Sequence, residues 1–464
     1  MSKINEIYLG LFQIMVLILF SIFLFYHYFS LENSFISIWD TRNIGSSNST
    51  QIKLPLEKDG NYDFTVYWGD GSYDRITHWN QDEIIHNYKK EGIYIVKIED
   101  SISGWRFNSQ EDQLKIIGIL NWGSLELGNN GAYFSGAKNL KLFRNLDKLN
   151  LDNTDNLSYM FFGAHYLEGD LSNWDVSNVL DMSHMFRWTI KYDDDLSNWD
   201  VSNVINMSHM FEGSKFSGNL SNWDVSNVTD MSYMFRWSDF NNDLFSWNVS
   251  NVLDMSHMFV WSDFDGNLSS WDVSSVTDMS HMFEGSGFNS SLSNWNVSNV
   301  LDMSHMFRNS KFNNNLSIWD VSSAFNMSHM FEGSGFNGNL SNWDVSNILD
   351  MNHMFDGSRF NGDLSNWNVS NVLDMSYMFR WSDFDGNLSS WDVSSVTDMS
   401  YMFEDSRFNG DLSNWDVSNV TNMDCIFEGS IFDGDLSSWN ISNIIGKNKE
   451  YLFSEFNLKS GYKN

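Results

Sequence analysis

Tryptophan recurs every 24 residues through the second half of this chain, at Trp174, Trp199, Trp223, Trp247, Trp271, Trp295, Trp319, Trp343, Trp367, Trp391, Trp415 and Trp439, with only the first step 25 long. Each stands in a copy of Leu-Ser-Asn-Trp-Asp-Val-Ser-Asn-Val-x-Asp-Met-Ser-His/Tyr-Met-Phe, followed by a variable stretch rich in Gly, Asn, Asp and Phe. A fixed period of this length predicts a repeat solenoid, because a unit so small cannot bury its apolar face alone and must stack on its neighbours. The search for function therefore moves from a catalytic pocket to a long, repetitive surface.

Within one repeat, Leu-x-x-Trp-x-Val reads as a short strand with Trp and Val on one face. Val-x-x-Met-x-x-Met-Phe has spacings of three and four, which suit one or two turns of helix or 3₁₀ helix. The Phe of the variable stretch (Phe216, Phe240, Phe264, Phe288, Phe312) is expected to return the chain to the core. The expected rung is thus one short strand and one short helix or 3₁₀ turn. Phe134 to Leu140 and Asn156 to Phe161 look like degenerate copies, so residues 105–160 are expected to form N-terminal capping repeats, 161–445 the solenoid and 446–464 a C-terminal cap. Residues 261–280 recur identically at 381–400, five repeats later, which is how a scaffold expands and not how an active site is built.

The front of the chain is different. After a short head at residues 1–6, residues 7–29 are apolar with no formal charge, and at ~1.5 Å per residue they span a ~30 Å hydrocarbon core. An Ala-x-Ala-like cleavage site is missing, so an uncleaved transmembrane signal-anchor is expected, with the body of the protein extracellular or on the exterior of a cell or particle. Between residues 30 and 104 the pattern changes to short alternating runs. Asp63–Trp68 and Gly92–Ile98 read as strands, and Trp68-Gly-Asp-Gly-Ser72 as the turn after the first, its glycines supplying positive φ. With His86-Asn-Tyr88 and Gly92-Ile-Tyr94, that run resembles the PKD-like β-sandwich, a spacer or adhesive module of surface proteins.

The repeat tract itself resembles the BspA-like leucine-rich-repeat surface proteins, in the W-D-V-S-N-V-T-D-M-S-x-M-F subtype, over residues 130 to 445. The resemblance implies a leucine-rich-repeat-like solenoid displayed on a cell or particle surface, with adhesion or host interaction as its role. It implies no particular ligand.

Composition sets bounds on this reading. Against 27 Lys and Arg stand 60 Asp and Glu, a formal charge of −33, which excludes nucleic acid and anionic lipid surfaces as partners and suits a soluble acidic body. Cys425 is the single cysteine, so no intramolecular disulfide is available and stacking must supply the stability.

Several columns invite chemistry. His184, His209, His257, His281, His305, His329 and His353 share one repeat slot, but Tyr233, Tyr377 and Tyr401 share it too, so the slot is read as needing an amphipathic ring and no metal is assigned. In the acidic field of the chain these imidazoles are expected to protonate readily, with stability falling little between pH 7 and about 5.5. The aspartates after Trp and before Met are read as turn caps, and the asparagines at Asn178, Asn203, Asn227 and Asn251 as hydrogen-bonding along the stack. Sixteen Asn-x-Ser/Thr sequons, Asn48, Asn219, Asn267, Asn339 and Asn419 among them, arise mostly from the repeat text and would take glycans only in a eukaryotic secretory pathway.

Departures from the repeat are more informative. Four rungs place an extra tryptophan after Met-Phe, in Arg187-Trp188, Arg236-Trp237, Val260-Trp261 and Arg380-Trp381. Arg187, Trp188, Arg236, Trp237, Trp261, Arg380 and Trp381 are the candidate contacts for a protein or glycan ligand. The competing explanation is that the indole covers a ridge where other repeats carry Gly. No catalytic or cofactor-binding pattern stands outside the repeats, so the expected function is a membrane-anchored structural or adhesive scaffold, not an enzyme. A carbohydrate- or protein-binding receptor is the alternative. Oligomeric state is left open.

Overall fold

The computed structural model describes residues 33–143 and 147–444. The expected membrane helix at 7–29 and the expected cap at 446–464 lie outside them. Among the described residues no helix is long and apolar enough to cross a membrane. The chain divides into two compact units: one runs to Val179 and takes in Trp188–Asp195, the other comprises Leu180–Arg187 and the chain from Leu196 onward.

The first unit holds the strands β1 (Phe35–Asp40), β2 (Gln51–Lys53), β3 (Leu56–Tyr67), β4 (Tyr73–Ile76), β5 (Ile85–Asn87), β6 (Ile93–Trp105), β7 (Ile116–Asn121) and β8 (Leu125–Glu126). The main sheet runs β4-β3-β6-β1-β7 with antiparallel neighbours, and β2 and β5 make a separate pair. Alternation explains the core: Tyr62, Phe64 and Val66 of β3 and Val96 and Ile98 of β6 are buried, with solvent-facing residues between them. The expected strands at 63–68 and 92–98 lie largely within β3 and β6.

The Trp-Gly-Asp-Gly turn closes as its glycines suggest. Gly69 and Gly71 have φ of +84° and +92°, and a Cβ on Gly69 would lie 2.5 Å from the Ile95 carbonyl oxygen. His86 stacks on Trp68 with centroids 4.7 Å apart, and the Tyr88 hydroxyl donates to the Trp68 carbonyl at 2.9 Å. The residues of this motif therefore meet one another around the buried Trp68.

Beneath the loop before β2 sits a fully buried ion pair, Lys115 and Asp112, 3.5 Å apart. Lys115 Nζ donates to the carbonyls of Ser47, Asn48 and Gln51, while Asp112 accepts from Ser47 N at 3.0 Å and Lys53 N at 2.8 Å. Neither charge reaches water, so the pair and its backbone partners stand or fall together.

The sheet runs on into the degenerate repeats. β8 pairs with β6 in parallel, Glu126 bridges Asn150 in parallel, and Phe107 N, Ala132 N and Phe134 N donate to the carbonyls of Tyr133, Ser158 and Met160. The described residues between 105 and 160 thus stack on one another while contributing β7 and β8 to the sheet.

In the second unit each repeat pairs with the next through one parallel bridge, in the series Asp181, Asn206, Asp230, Asp254, Asp278, Asp302, Asn326, Asp350, Asp374, Asp398 and Asn422. Among the described residues of this unit the expected helix or 3₁₀ turn is absent, and so is the strand expected over Leu-x-x-Trp-x-Val, which is a turn with Trp223 N donating to Leu220 O. The parallel bridge falls instead in the Val-x-Asp-Met stretch that reads as helical, and the 3₁₀ turn of the described residues is Asp82–Ile84, in the first unit. The reason lies at the His/Tyr slot. His257 has φ +60° and its counterparts have φ between +54° and +61°, a left-handed setting that ends any right-handed helix. The segment is instead a run of tight turns, with Met258 N donating to Met255 O and Val260 N to His257 O. These i→i+3 turns bury Met, Met and Phe at the spacing that reads as helical. The amides left over point at the neighbouring repeat: Met255 N, His257 N and Phe259 N donate to the carbonyls of Asp278, Ser280 and Met282.

Side chains repeat the same ladder. Trp247 and Trp271 lie parallel with centroids 6.4 Å apart, and Trp271 Nε1 donates to Leu244 O at 3.0 Å, as each tryptophan from Trp223 to Trp439 donates to the preceding repeat. Phe264, in the variable stretch, returns to stack on Phe259 at 4.3 Å. Asn227 and Asn251 donate to the carbonyls of Ser202 and Ser226 at 2.7 Å, and Asp230 Oδ1 accepts from Ser232 N, so the polar columns cap turns and tie rungs together.

Candidate functional site

The His/Tyr slot makes one unbroken column of ten rings, from His184 to Tyr401, each stacked on the next with centroids 4.0–4.6 Å apart. Imidazole and phenol both fill it, as the sequence suggests. Three residues further on runs a second column that the sequence reading overlooked, of charged groups: Arg187, Glu212, Arg236, Glu284, Arg308, Glu332, Asp356, Arg380 and Glu404. Glu212 lies 2.9 Å from Arg187 Nε and 3.7 Å from Arg236 Nη1, and Arg308 reaches Glu284 at 3.3 Å and Glu332 at 2.9 Å. Where an acidic member follows a histidine its carboxylate also meets the ring nitrogen: His281 Nδ1 lies 2.6 Å from Glu284 and His353 Nδ1 2.9 Å from Asp356.

Where it is not acidic, the imidazole stays neutral. Burial first, then the neighbouring histidine and an arginine, drives His184 and His257 down to about 3, and burial with the adjacent His281 and His329 does the same to His305. The Nδ1 atoms of His257 and His305 are buried without a hydrogen-bond partner. Burial thus overrides the acidic field at these three rings, against the expectation that the field would favour imidazolium.

The sign of the pH dependence follows. Below pH 6.5 the unfolded chain takes up protons that folded His184 and His257 refuse, so stability held at pH 7 is lost progressively towards pH 3. At 1.36 kcal/mol per unit this is about 2 kcal/mol per ring by pH 5, and about half that once these partly exposed rings are allowed solvent screening. His257→Tyr should therefore flatten the fall in melting temperature between pH 7 and 5. An identical pH slope in variant and wild type would refute the assignment.

The extra tryptophans occupy the slot immediately after the charged column. Its backbone is again left-handed, with φ of +60° at Trp188, +56° at Trp237, +49° at Trp261 and +51° at Trp381, and glycine fills it in Gly213, Gly285, Gly333 and Gly357. A large side chain there carries a backbone cost that its contacts must offset. The Arg236 guanidinium sits 3.8 Å from the Trp237 ring centroid, and that of Arg380 4.3 Å from Trp381. Trp381 Nε1 also donates to Asp405 at 3.0 Å. Trp261 lies across Gly285 of the next repeat, where a Cβ would come within 2.3 Å of the indole. The indoles do cover the ridge, yet Trp237, Trp261 and Trp381 remain 42%, 54% and 57% exposed, while Trp188 is half-buried. Of the seven candidates, Arg236 with Trp237 and Arg380 with Trp381 form aromatic–cation pairs, and Trp261 follows Trp237 in the next repeat. Arg187 is committed to Glu212.

One further departure escaped the sequence reading. Phe245 replaces the serine of the Leu-Ser-Asn-Trp text, is exposed, and borders a shallow groove with Asn242, Asp243, Asp265 and Asn267.

With this geometry in hand, the comparisons with known proteins are decisive for family and silent on activity. A family described as "Mycoplasma protein of unknown function, DUF285" matches in seven overlapping stretches, 105–217, 128–241, 194–286, 236–335, 286–382, 308–406 and 358–461. The chain belongs to this family. No curated protein and no solved structure matches it. The DUF285 matches begin at Trp105, the last residue of β6, and run through the whole stacked tract. Family membership accords with a repeat protein of the BspA-like kind.

Proposed function

We propose that this DUF285 chain is a surface-displayed scaffold: a solenoid carried on a PKD-like module and a membrane anchor at residues 7–29, serving a structural or adhesive role without catalysis. The supporting observation is the ladder of backbone and side-chain hydrogen bonds from one repeat to the next, which commits the interior of every rung to stacking and leaves variation to the surface. The PKD-like reading rests on the closed Trp68–His86–Tyr88 cluster, and the BspA-like subtype on the repeat text. The anchor rests on the apolar sequence of 7–29.

The adhesive face is assigned to Trp237, Trp261 and Trp381, the exposed indoles of the ridge, with Arg236 and Arg380 beneath them. A sugar ring or an apolar protein side chain is the class of ligand such a surface takes. Two experiments separate the parts of this proposal. An antibody to the repeat tract should label intact cells or particles, and absence of labelling without permeabilisation would remove surface display. Binding on a glycan array abolished in Trp237→Ala and Trp261→Ala would favour the receptor reading over a purely structural rod.

Deleting residues 1–30 should move the protein from the membrane to the soluble fraction with an unchanged melting temperature. Retention of the truncated chain on membranes after a high-salt wash would show a second attachment.

A further inference from the structure

We propose that two consecutive repeats, those of His329 and His353, form a binding site for a divalent transition metal of the zinc class, which the rest of the ring column does not. One ligating atom from each of His329, Glu332 and His353 already lies within 4.8 Å of the others, the single such group among the described residues. The distinction is visible in the two columns. His329-Met-Phe-Glu332 and His353-Met-Phe-Asp356 are the one place where neighbouring repeats each present an imidazole and, three residues on, a carboxylate. Elsewhere the neighbour brings tyrosine, arginine or valine: Glu212 is followed by Tyr233 and Arg236, and Glu284 by His305 and Arg308.

Two imidazoles with one or two carboxylates are a donor set that suits zinc and its neighbours, at about 2.0–2.2 Å from nitrogen and oxygen. The present arrangement is slightly open. The His329 and His353 rings stack at 4.3 Å and 11°, so their nitrogens point side by side, and capture of a metal requires one ring to turn out of the stack. Both rings are about one-fifth exposed, which leaves room for that turn and a path from solvent. Glu332 lies 2.5 Å from His329 Nδ1, and Asp356 2.9 Å from His353 Nδ1. Each carboxylate can serve as a ligand or, by accepting the ring's N–H, hold its imidazole while the other nitrogen binds the metal.

Arginines flank the pair on both sides, Arg308 2.9 Å from Glu332 and Arg380 2.6 Å from Asp356. They neutralise the carboxylates, so the metal-free site is stable, and they weaken the metal by competing for its ligands. Folding therefore does not depend on the ion. The metal site does not rest on the adhesive reading or on surface display, although Arg380 borders both the site and the ridge.

The test uses the full chain at pH 7, titrated with Co²⁺ and then with Zn²⁺ in competition. Wild type should take up one cobalt with a visible d–d spectrum that zinc abolishes, and zinc should raise its melting temperature. His329→Tyr and His353→Tyr should fold, because tyrosine occupies the same slot at Tyr377 and Tyr401, and each should lose the spectrum and the zinc shift. Asp356→Asn should weaken binding by about tenfold or more, and His257→Tyr, outside the pair, should leave it unchanged. No cobalt spectrum in wild type would overturn the proposal. So would a spectrum that survives His329→Tyr with His353→Tyr, or one lost equally in His257→Tyr, since the last would mean diffuse binding along the column.

Discussion

Trp295→Ala should destabilise the second unit by about 3–5 kcal/mol, the range for emptying a large aromatic site in a packed core. Trp295 is 3% exposed, stacks at 6.4 Å on Trp271, tilts against Phe283 at 6.2 Å and donates its indole N–H to Leu268 O at 3.0 Å. The substitution therefore leaves a cavity and removes one of the two donors to Leu268 O, which keeps its bond from Trp271 N. Because each repeat is held only by its neighbours, unfolding should spread outward from this rung and proteolysis should cut there first. Denaturant melts and limited proteolysis with mass mapping read both effects. A stably folded two-repeat fragment would contradict the premise that stacking holds the rungs.

A loss of similar size is expected in the first unit from Lys115→Ala, about 3–5 kcal/mol, because it strands the Asp112 carboxylate in a site without water. The loop carbonyls of Ser47, Asn48 and Gln51 lose their shared donor at the same time. The double variant Lys115→Met, Asp112→Leu should recover part of that loss, since no lone charge remains. Melting temperatures of the three proteins decide it. If the single variant were as stable as wild type, the pair would have to be solvated, contrary to its complete burial.

Two residues show why the sequence spoke clearly about burial and poorly about backbone. Met255 and Met258 stand three apart with Phe259 beside them, a spacing shared by a helical turn and by a β-turn closed by an i→i+3 hydrogen bond. Sequence alone favoured the helix. The choice is made by His257, whose positive φ turns its N–H towards Ser280 O, 2.8 Å away in the next repeat. That partner exists only once two repeats are stacked, so no local propensity could reveal it. The charged column behaves likewise: Glu284, Arg308 and Glu332 are unremarkable in single repeats and become a relay when 24 residues of chain bring them side by side.

The 24-residue recurrence of Trp, Val, Met and Phe by itself determined that the repeats stack and which side chains they bury, because an apolar set too small to close on itself has no other place to go. The Trp-Gly-Asp-Gly run likewise determined a tight turn, through glycines that tolerate positive φ. Tertiary structure alone decided the left-handed ring slot, the neutral imidazoles of His184, His257 and His305, and the seating of Trp261 over Gly285. Each of these depends on what one repeat presents to the next, and the hydrogen bonds and burial that set them come from residues a full period away.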